Sequence, residues 1–183
     1  MKKQYTRRGL MQVGLSVFGW ALVRPGLGWA QSESGQGVKQ KEQVLTGLQQ
    51  KLALALQHEH GAIVQYTNHA GKLAGKQFED HAETIQAIVG EEQAHAQRLV
   101  QLLYESGAEP TVAVWPPQTA AAVSEMLRQD IAAEKGAISL YEEILNEENM
   151  SPGMQRSVLW MLEQEVQHEK TFNTIQRSLA QDS

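Results

Sequence analysis

The chain has 183 residues, 16 of them basic and 21 acidic, which gives a formal net charge of −5. This length fits one domain with a substantial core. There is no cysteine, which excludes thiolate metal sites, iron–sulfur clusters and disulfides.

The first thirty residues have the layout of a secretory signal peptide. They hold five basic residues and no acidic one, and an apolar stretch over residues 13–23 follows the basic start. That stretch is too short to span a membrane, and Gly28 and Ala30 are the small residues that a signal peptidase selects. Residues 6–10, TRRGL, resemble the motif of twin-arginine export signals. We therefore predict a twin-arginine-type signal peptide over residues 1–30, with an uncleaved anchor as the alternative.

Removal of this segment would make the mature protein more acidic. It would take away five of the 16 basic residues and none of the 21 acidic ones, which leaves a net charge of about −10. Such a surface attracts cations, so we expect neither nucleic acid nor a membrane as a partner of the mature protein. Residues 31–40, which are polar and contain glycine, are predicted to form a flexible leader.

From residue 41 to the end of the chain at 183, apolar side chains recur every three or four positions, which predicts amphipathic helices. The four predicted helices cover about residues 41–72, 77–105, 119–147 and 152–180. The segment 106–118 contains three prolines. It could extend over about 43 Å, close to the ~45 Å length of a 30-residue helix. We therefore predict an all-α four-helix bundle of two hairpins, in which a long crossover lets the second and third helices run parallel.

The two predicted hairpins are related in sequence. Residues 59–66, EHGAIVQY, align with residues 134–141, EKGAISLY, with five identities in eight positions. A Glu-x-x-His follows each segment, beginning at Glu92 in the first hairpin and at Glu165 in the second. Because the repeat preserves the polar positions and their order, it predicts a duplicated structure with a pseudo-twofold site.

Six ionisable side chains fall on helix faces that are otherwise apolar: Glu59, Glu92, His95, Glu134, Glu165 and His168. Burial of four ionised carboxylates is very unfavourable without compensation, and two divalent cations would cancel their formal charge. Residues three apart lie side by side on a helix, so each Glu-x-x-His can hold one edge of a metal pair. Glu59 and Glu134 could then bridge or complete the pair. Oxygen and imidazole donors favour iron or manganese, with zinc or cobalt as competitors in vitro.

This donor set is that of di-iron and di-manganese bundle proteins, and the sequence resembles the ferritin-like superfamily, especially bacterioferritins and rubrerythrins. The resemblance covers roughly residues 44–180. It implies a ferritin-like bundle that holds two iron ions, or manganese, on the six residues. It also implies oxidation of Fe(II) with dioxygen or peroxide, and a possible homodimer. The alternatives are a rubrerythrin-like peroxidase or manganese catalase, and a metal-binding scaffold without turnover.

The resemblance also assigns roles around the metals. It implies that Tyr66 and Tyr141, each seven residues beyond a ligand glutamate, bond to a ligand carboxylate; the alternative is that they only fill the core. Asp130, one turn before Glu134, could orient a ligating imidazole. In the related hairpin Ala55 takes its place.

Four other residues are given structural roles. We expect Glu91 and Glu163 to be solvated, His69 to pack near an end of the bundle, and Gly61 to permit a close approach of helices.

Two features separate the chain from bacterioferritins. Gln93 stands where that family has its haem-ligating methionine, so no haem is expected. Fifteen residues follow His168, which is too few for a separate fifth helix, and we therefore expect no large storage cage.

Overall fold

The computed structural model of the protein describes residues 45–75 and 77–181. The predicted signal peptide and leader lie outside the described residues. No helix in the described part is both long and apolar enough to cross a membrane.

Four α-helices account for most of the described residues: α1 (Gly47–Leu73), α2 (Glu79–Glu105), α3 (Val123–Leu145) and α4 (Pro152–Gln181). Helix α1 begins at a capping box, in which the Thr46 hydroxyl accepts the Gln49 N–H and the Gln49 side chain accepts the Thr46 N–H. Helix α3 begins four residues later than predicted, because the extended crossover continues to Ala122. The predicted all-α class is confirmed.

The crossover, residues 106–122, follows α1 from one end to the other. Near the start of α1, the Gln49 side chain donates to the Ser106 carbonyl over 2.8 Å. Near its end, Lys72 Nζ donates to the Ala120 carbonyl over 2.9 Å. The chain therefore crosses the whole length of the bundle before α3 begins. Helices α2 and α3 run parallel, while each helix packs against antiparallel neighbours in the order α2, α1, α3, α4 and back to α2.

Gly61 provides the space for this crossover. A Cβ at Gly61 would lie 2.6 Å from the Trp115 carbonyl oxygen, which is a clash with backbone. The Trp115 N–H donates to the Gln57 carbonyl at 2.8 Å and holds the crossover there. The predicted reason for this glycine was therefore wrong, since it accommodates the crossover and not a neighbouring helix.

The core consists of two apolar clusters separated by a polar layer. The cluster near the start of α1 includes Leu52, Leu56, Leu99, Leu102, Ile144 and Met161. The cluster near the end of α1 includes Leu73, Ile85, Val89, Leu127, Phe172 and Ile175. Burial of each such side chain contributes about 1.5–3 kcal/mol, so the apolar ends can hold an unfavourable polar layer between them.

Candidate metal centre

The six predicted residues converge in the layer between the two apolar clusters, and each is at most 2% exposed. They form two overlapping groups of potential ligand atoms, each group lying within 4.8 Å. The first position comprises Glu59 and His95 with Glu92 and Glu165, and the second position comprises Glu134 and His168 with the same two glutamates. The glutamates of the two Glu-x-x-His motifs are therefore shared, and Glu59 and Glu134 each belong to one position. The sequence left this choice open.

Both imidazoles present Nδ1 to the carboxylates. His95 Nδ1 lies 2.9 Å from Glu165 Oε1 and 3.1 Å from Glu92 Oε2. His168 Nδ1 lies 3.1 Å from Glu92 Oε1 and 3.5 Å from Glu165 Oε2. Each ring can therefore offer Nδ1 to a cation while Nε2 points away from the layer.

Two buried carboxylate oxygens of this layer, Glu59 Oε2 and Glu134 Oε2, lack a hydrogen-bond partner within the described part of the chain, and His95 Nδ1 and His168 Nδ1 lie 4.0 and 3.8 Å from them. Native proteins leave few buried polar atoms unsatisfied, so this pair, one in each half of the layer, indicates that something other than protein contacts them. Four carboxylates and two imidazoles fit two divalent cations in both charge and donor type.

The four carboxyl groups separate into two kinds. Burial raises the pKa of Glu59 and of Glu134 well above the usual value, and the charges of Glu165 and Glu92 raise it further. Burial also opposes ionisation of the two shared glutamates, but hydrogen bonds from His168 and His95 outweigh it and lower the pKa of Glu92 and Glu165. The protonated form is therefore favoured for the unshared carboxyls and the ionised form for the shared ones.

The histidines supply the balancing charge when no metal is bound. Burial lowers the pKa of His95 and His168, but hydrogen bonds and charges from Glu165 and Glu92 prevail and raise it to about 10. Two imidazolium rings then balance the charge of Glu92 and Glu165, and the raised pKa of Glu59 and Glu134 favours the protonated form of these two carboxyls. Because ligands must be deprotonated, binding of two divalent cations would displace these protons.

The two tyrosines tie the hairpins together across the layer. Tyr66 Oη donates to Glu134 Oε1 at 2.6 Å, and Tyr141 Oη donates to Glu59 Oε1 at 2.5 Å. Burial raises the pKa of both phenols, and the charge of the bonded glutamate adds to the effect. Both therefore remain hydrogen-bond donors, in the contacts that the resemblance implied.

Two residues outside the predicted ligand set, Glu91 and Gln164, contact the Nε2 atoms of the histidines. His168 Nε2 lies 2.6 Å from Glu91 Oε2, and His95 Nε2 lies 2.8 Å from Gln164 Oε1. Glu91 is solvated as expected, with 48% of its side chain exposed, but it also contacts His168, which the sequence did not predict. The sequence feature that could have identified both residues is their position, because each directly precedes the glutamate of a Glu-x-x-His.

Asp130 contacts a different imidazole from the predicted one. His69 Nδ1 lies 2.8 Å from Asp130 Oδ1, and both side chains are fully buried. The Gln65 amide donates to the same oxygen at 2.9 Å and accepts the Gln118 N–H of the crossover at 2.8 Å. Burial raises the pKa of Asp130, and the bond to His69 opposes this. Asp130 therefore joins α3 to α1, and Gln65 connects this pair to the crossover. The predicted role of Asp130 as orienter of a ligating imidazole is not supported, because the imidazole that it contacts is His69.

The family model for the ferritin-like domain matches residues 49–181. No match was found among the curated proteins.

Three solved structures illustrate the similarity. A ferritin-like, diiron-carboxylate protein from Bacillus anthracis str. Ames shares 23% identity over 70% of this chain and 94% of its own, with a TM-score of 0.67. The bacterioferritin of Desulfovibrio desulfuricans, whose diiron site was solved in different catalytic states, shares 24% identity over 73% of this chain and 80% of its own, with a TM-score of 0.69. A dodecameric thioferritin from Bacteroides fragilis shares 25% identity over 73% of this chain and 86% of its own, with a TM-score of 0.66.

Proposed function

The chain belongs to the ferritin-like domain family, and from that premise we propose that it is an exported di-iron protein that oxidises Fe(II) with dioxygen or peroxide. The observation that carries this proposal is the pair of overlapping ligand groups, which share Glu92 and Glu165. Two cations held by groups that share two carboxylates would be able to act together on one small molecule. The iron bound by similar proteins supports iron over manganese.

The bound irons would supply one electron each to the oxidant. The protein supplies the side chains that would hold the two ions. Glu92 and Glu165 reach both positions, while the tyrosine hydroxyls hold one oxygen each of Glu134 and Glu59 and leave the other oxygen facing the layer. The apolar clusters on either side limit access of water, which strengthens the charge interactions inside the layer.

The imidazole protons are also fixed by the structure. Because Nδ1 of each histidine faces the carboxylates, it is the nitrogen that must lose its proton to bind a cation. Nε2 then keeps its proton and donates it to Glu91 in one half of the layer and to Gln164 in the other. These bonds fix the orientation of both rings before any metal arrives, and they select the tautomer that each ring would adopt once Nδ1 loses its proton to a cation.

The ferroxidase proposal is tested by mixing Fe(II) and oxygen with the purified protein and following the iron absorbance. In Glu134→Ala the second position loses its unshared carboxylate, and we expect oxidation to slow about 100-fold, since even outer partners of a metal contribute about 10–100-fold. Glu142→Ala, an exposed glutamate on the same helix, is the matched control and should match the unmodified protein. Equal rates in all three would overturn the proposal.

The alternatives give different outcomes in the same material. Manganese in elemental analysis, together with rapid peroxide decay without a reductant, would indicate a manganese catalase. Peroxide decay that requires a reductant would indicate a peroxidase. Bound iron without any oxygen-dependent change in absorbance would indicate a metal-binding scaffold.

Export through the twin-arginine route is part of the proposal, supported by TRRGL at residues 6–10 and by the apolar stretch that follows. Replacement of Arg7 and Arg8 by lysine should retain the protein in the cytoplasm, as measured by cell fractionation. Mass spectrometry of the exported form should give an N-terminus at Gln31. Export of the lysine variant at the normal level would contradict the predicted route.

A further inference from the structure

The two halves of the polar layer have equivalent inner residues but different outer charges. His168 donates from Nε2 to a carboxylate, Glu91, whereas His95 donates from Nε2 to a neutral amide, Gln164. Both partners directly precede the glutamate of a Glu-x-x-His, and each reaches across from α2 to α4 or back. They are therefore equivalent positions of the repeat that differ by one full negative charge.

Two further pairs of equivalent positions differ in the same direction. Arg98, three residues beyond His95, donates to the Ser157 hydroxyl of α4 at 2.9 Å on the side of the first position, and its guanidinium lies 3.8 Å from Glu105. Its counterpart beyond His168 is Thr171. Asp130 lies one turn before Glu134 on the side of the second position, 2.8 Å from His69 Nδ1, and its counterpart is Ala55. Because both charges have such partners, they add less to the difference than Glu91 and Gln164 do.

Nearby cations do not cancel this difference. The side chain of Lys135, next to Glu134, is 64% exposed, and its Nζ lies 3.7 Å from Glu169 Oε1. Its charge is therefore directed toward water and toward another carboxylate. His95, in contrast, makes a T-shaped contact with Trp160, with the ring centroids 5.2 Å apart. An aromatic ring and an amide therefore contact the histidine of the first position.

We propose that the two metal positions are unequal and that Glu91 and Gln164 set the inequality. The second position, with Glu134 and His168, binds a divalent cation more tightly and fills first. The physical reason is that a carboxylate that accepts the Nε2 hydrogen bond makes Nδ1 a stronger metal ligand than an amide in the same place does. The negative charge of the carboxylate also attracts the cation. The inference rests on the proposed function only in requiring that two cations bind, and makes Glu91 and Gln164 positioning residues, since neither faces the layer itself.

The test is a titration of the chelator-treated protein with Co(II), in which calorimetry measures the affinity of each binding step. The unmodified protein should show two unequal steps. Glu91→Gln should weaken the tighter step about 10–100-fold and bring the two affinities together, and Gln164→Glu should strengthen the weaker step by a similar factor. In the double variant the order of filling should reverse. Glu163→Gln, which removes the same charge from an exposed glutamate next to Gln164, is the matched control and should leave both steps unchanged.

A crystal grown with one Co(II) per chain identifies the position directly, because anomalous scattering at the cobalt edge locates the ion. Density beside Nδ1 of His168 is the expected result, and in the double variant it should move to Nδ1 of His95. Two equal steps, equal density at both positions, or unchanged steps in Glu91→Gln would overturn the inference while leaving Fe(II) oxidation untouched. Unequal steps without any Fe(II) oxidation would overturn the proposed function alone. Failure to bind Co(II) at all would overturn both.

Discussion

The first and second metal positions are made by related hairpins, and comparison of them separates what the repeat preserved from what it changed. Each position has one unshared glutamate, one histidine and a tyrosine hydroxyl contributed across the layer by the other hairpin. Outside this set the halves diverge in charge, at Glu91 and Gln164. The residues that would hold the cations are alike in the two hairpins, whereas the residues that contact the outer side of the histidines differ.

The core beside each position shows the same divergence. Beyond the second position lie three buried polar residues, Gln65, His69 and Asp130. Their counterparts beside the first position are Leu140, Ile144 and Ala55, which belong to or pack against an apolar cluster. The polar cluster also binds Gln118 of the crossover. Since a single crossover connects the hairpins within the described residues, one half of the bundle is sufficient to anchor it.

The largest expected effect distinguishes shared from unshared carboxylates. Glu92→Ala removes a group common to both positions, so we expect binding at both to weaken by at least about 100-fold, whereas Glu134→Ala should retain one cation per chain. Metal content after equilibrium dialysis against Co(II) measures this, with Glu142→Ala as the control. One full equivalent retained by Glu92→Ala would show that Glu92 is not shared.

The next effect concerns the pH dependence of stability. The pKa of both histidines rises from 6.5 to about 10 on folding, so the stability they contribute is present below pH 6.5 and is lost as the pH rises toward 10. Burial also raises the pKa of Glu59 and Glu134, which acts in the same direction.

Denaturation at pH 7 and pH 9 measures this effect. The metal-free protein should lose roughly 1 kcal/mol per pH unit for each histidine. The Co(II)-loaded protein should show little slope, because the cations have already displaced those protons. A metal-free protein that is equally stable at both pH values would contradict the assignment of protons in the layer.

A smaller effect is expected from the polar cluster that only the second half contains. Asp130→Ala leaves the His69 ring and the Gln65 amide without their acceptor and should lower the free energy of unfolding by about 3 kcal/mol. Addition of His69→Ile, which copies Ile144 of the other hairpin, should recover part of this loss. Urea denaturation of the single and double variants measures both values, and a double variant less stable than the single one would contradict this account.

The smallest effect should be equal in the two halves. Tyr66→Phe and Tyr141→Phe each remove one donor to a buried carboxylate and should cost about 1–2 kcal/mol in the metal-free protein. Thermal unfolding of both variants in chelator compares them directly. Costs that differ by more than about 1 kcal/mol would show that the divergence of the halves extends to the inner contacts.

Local spacing made most of this structure predictable. Apolar periodicity gave four helices, with starts and ends displaced by a few residues where capping or the crossover decided them. The three-residue spacing of Glu92 and His95, and of Glu165 and His168, placed each pair on one helix face whatever the rest of the chain did. The length and prolines of the crossover were sufficient to predict parallel α2 and α3.

What the sequence determined by itself was therefore the set of helices, the polar positions on their faces and the pairing into two hairpins, because these depend on neighbours one or two turns away. The tertiary structure alone decided that Glu92 and Glu165 are shared, that Glu91 and Gln164 hold the histidines, and that Asp130 meets His69. Each of these contacts joins different helices, so it depends on their rotation and on their antiparallel register. A period of 3.6 residues along one helix carries no information about which side chain faces it from the next.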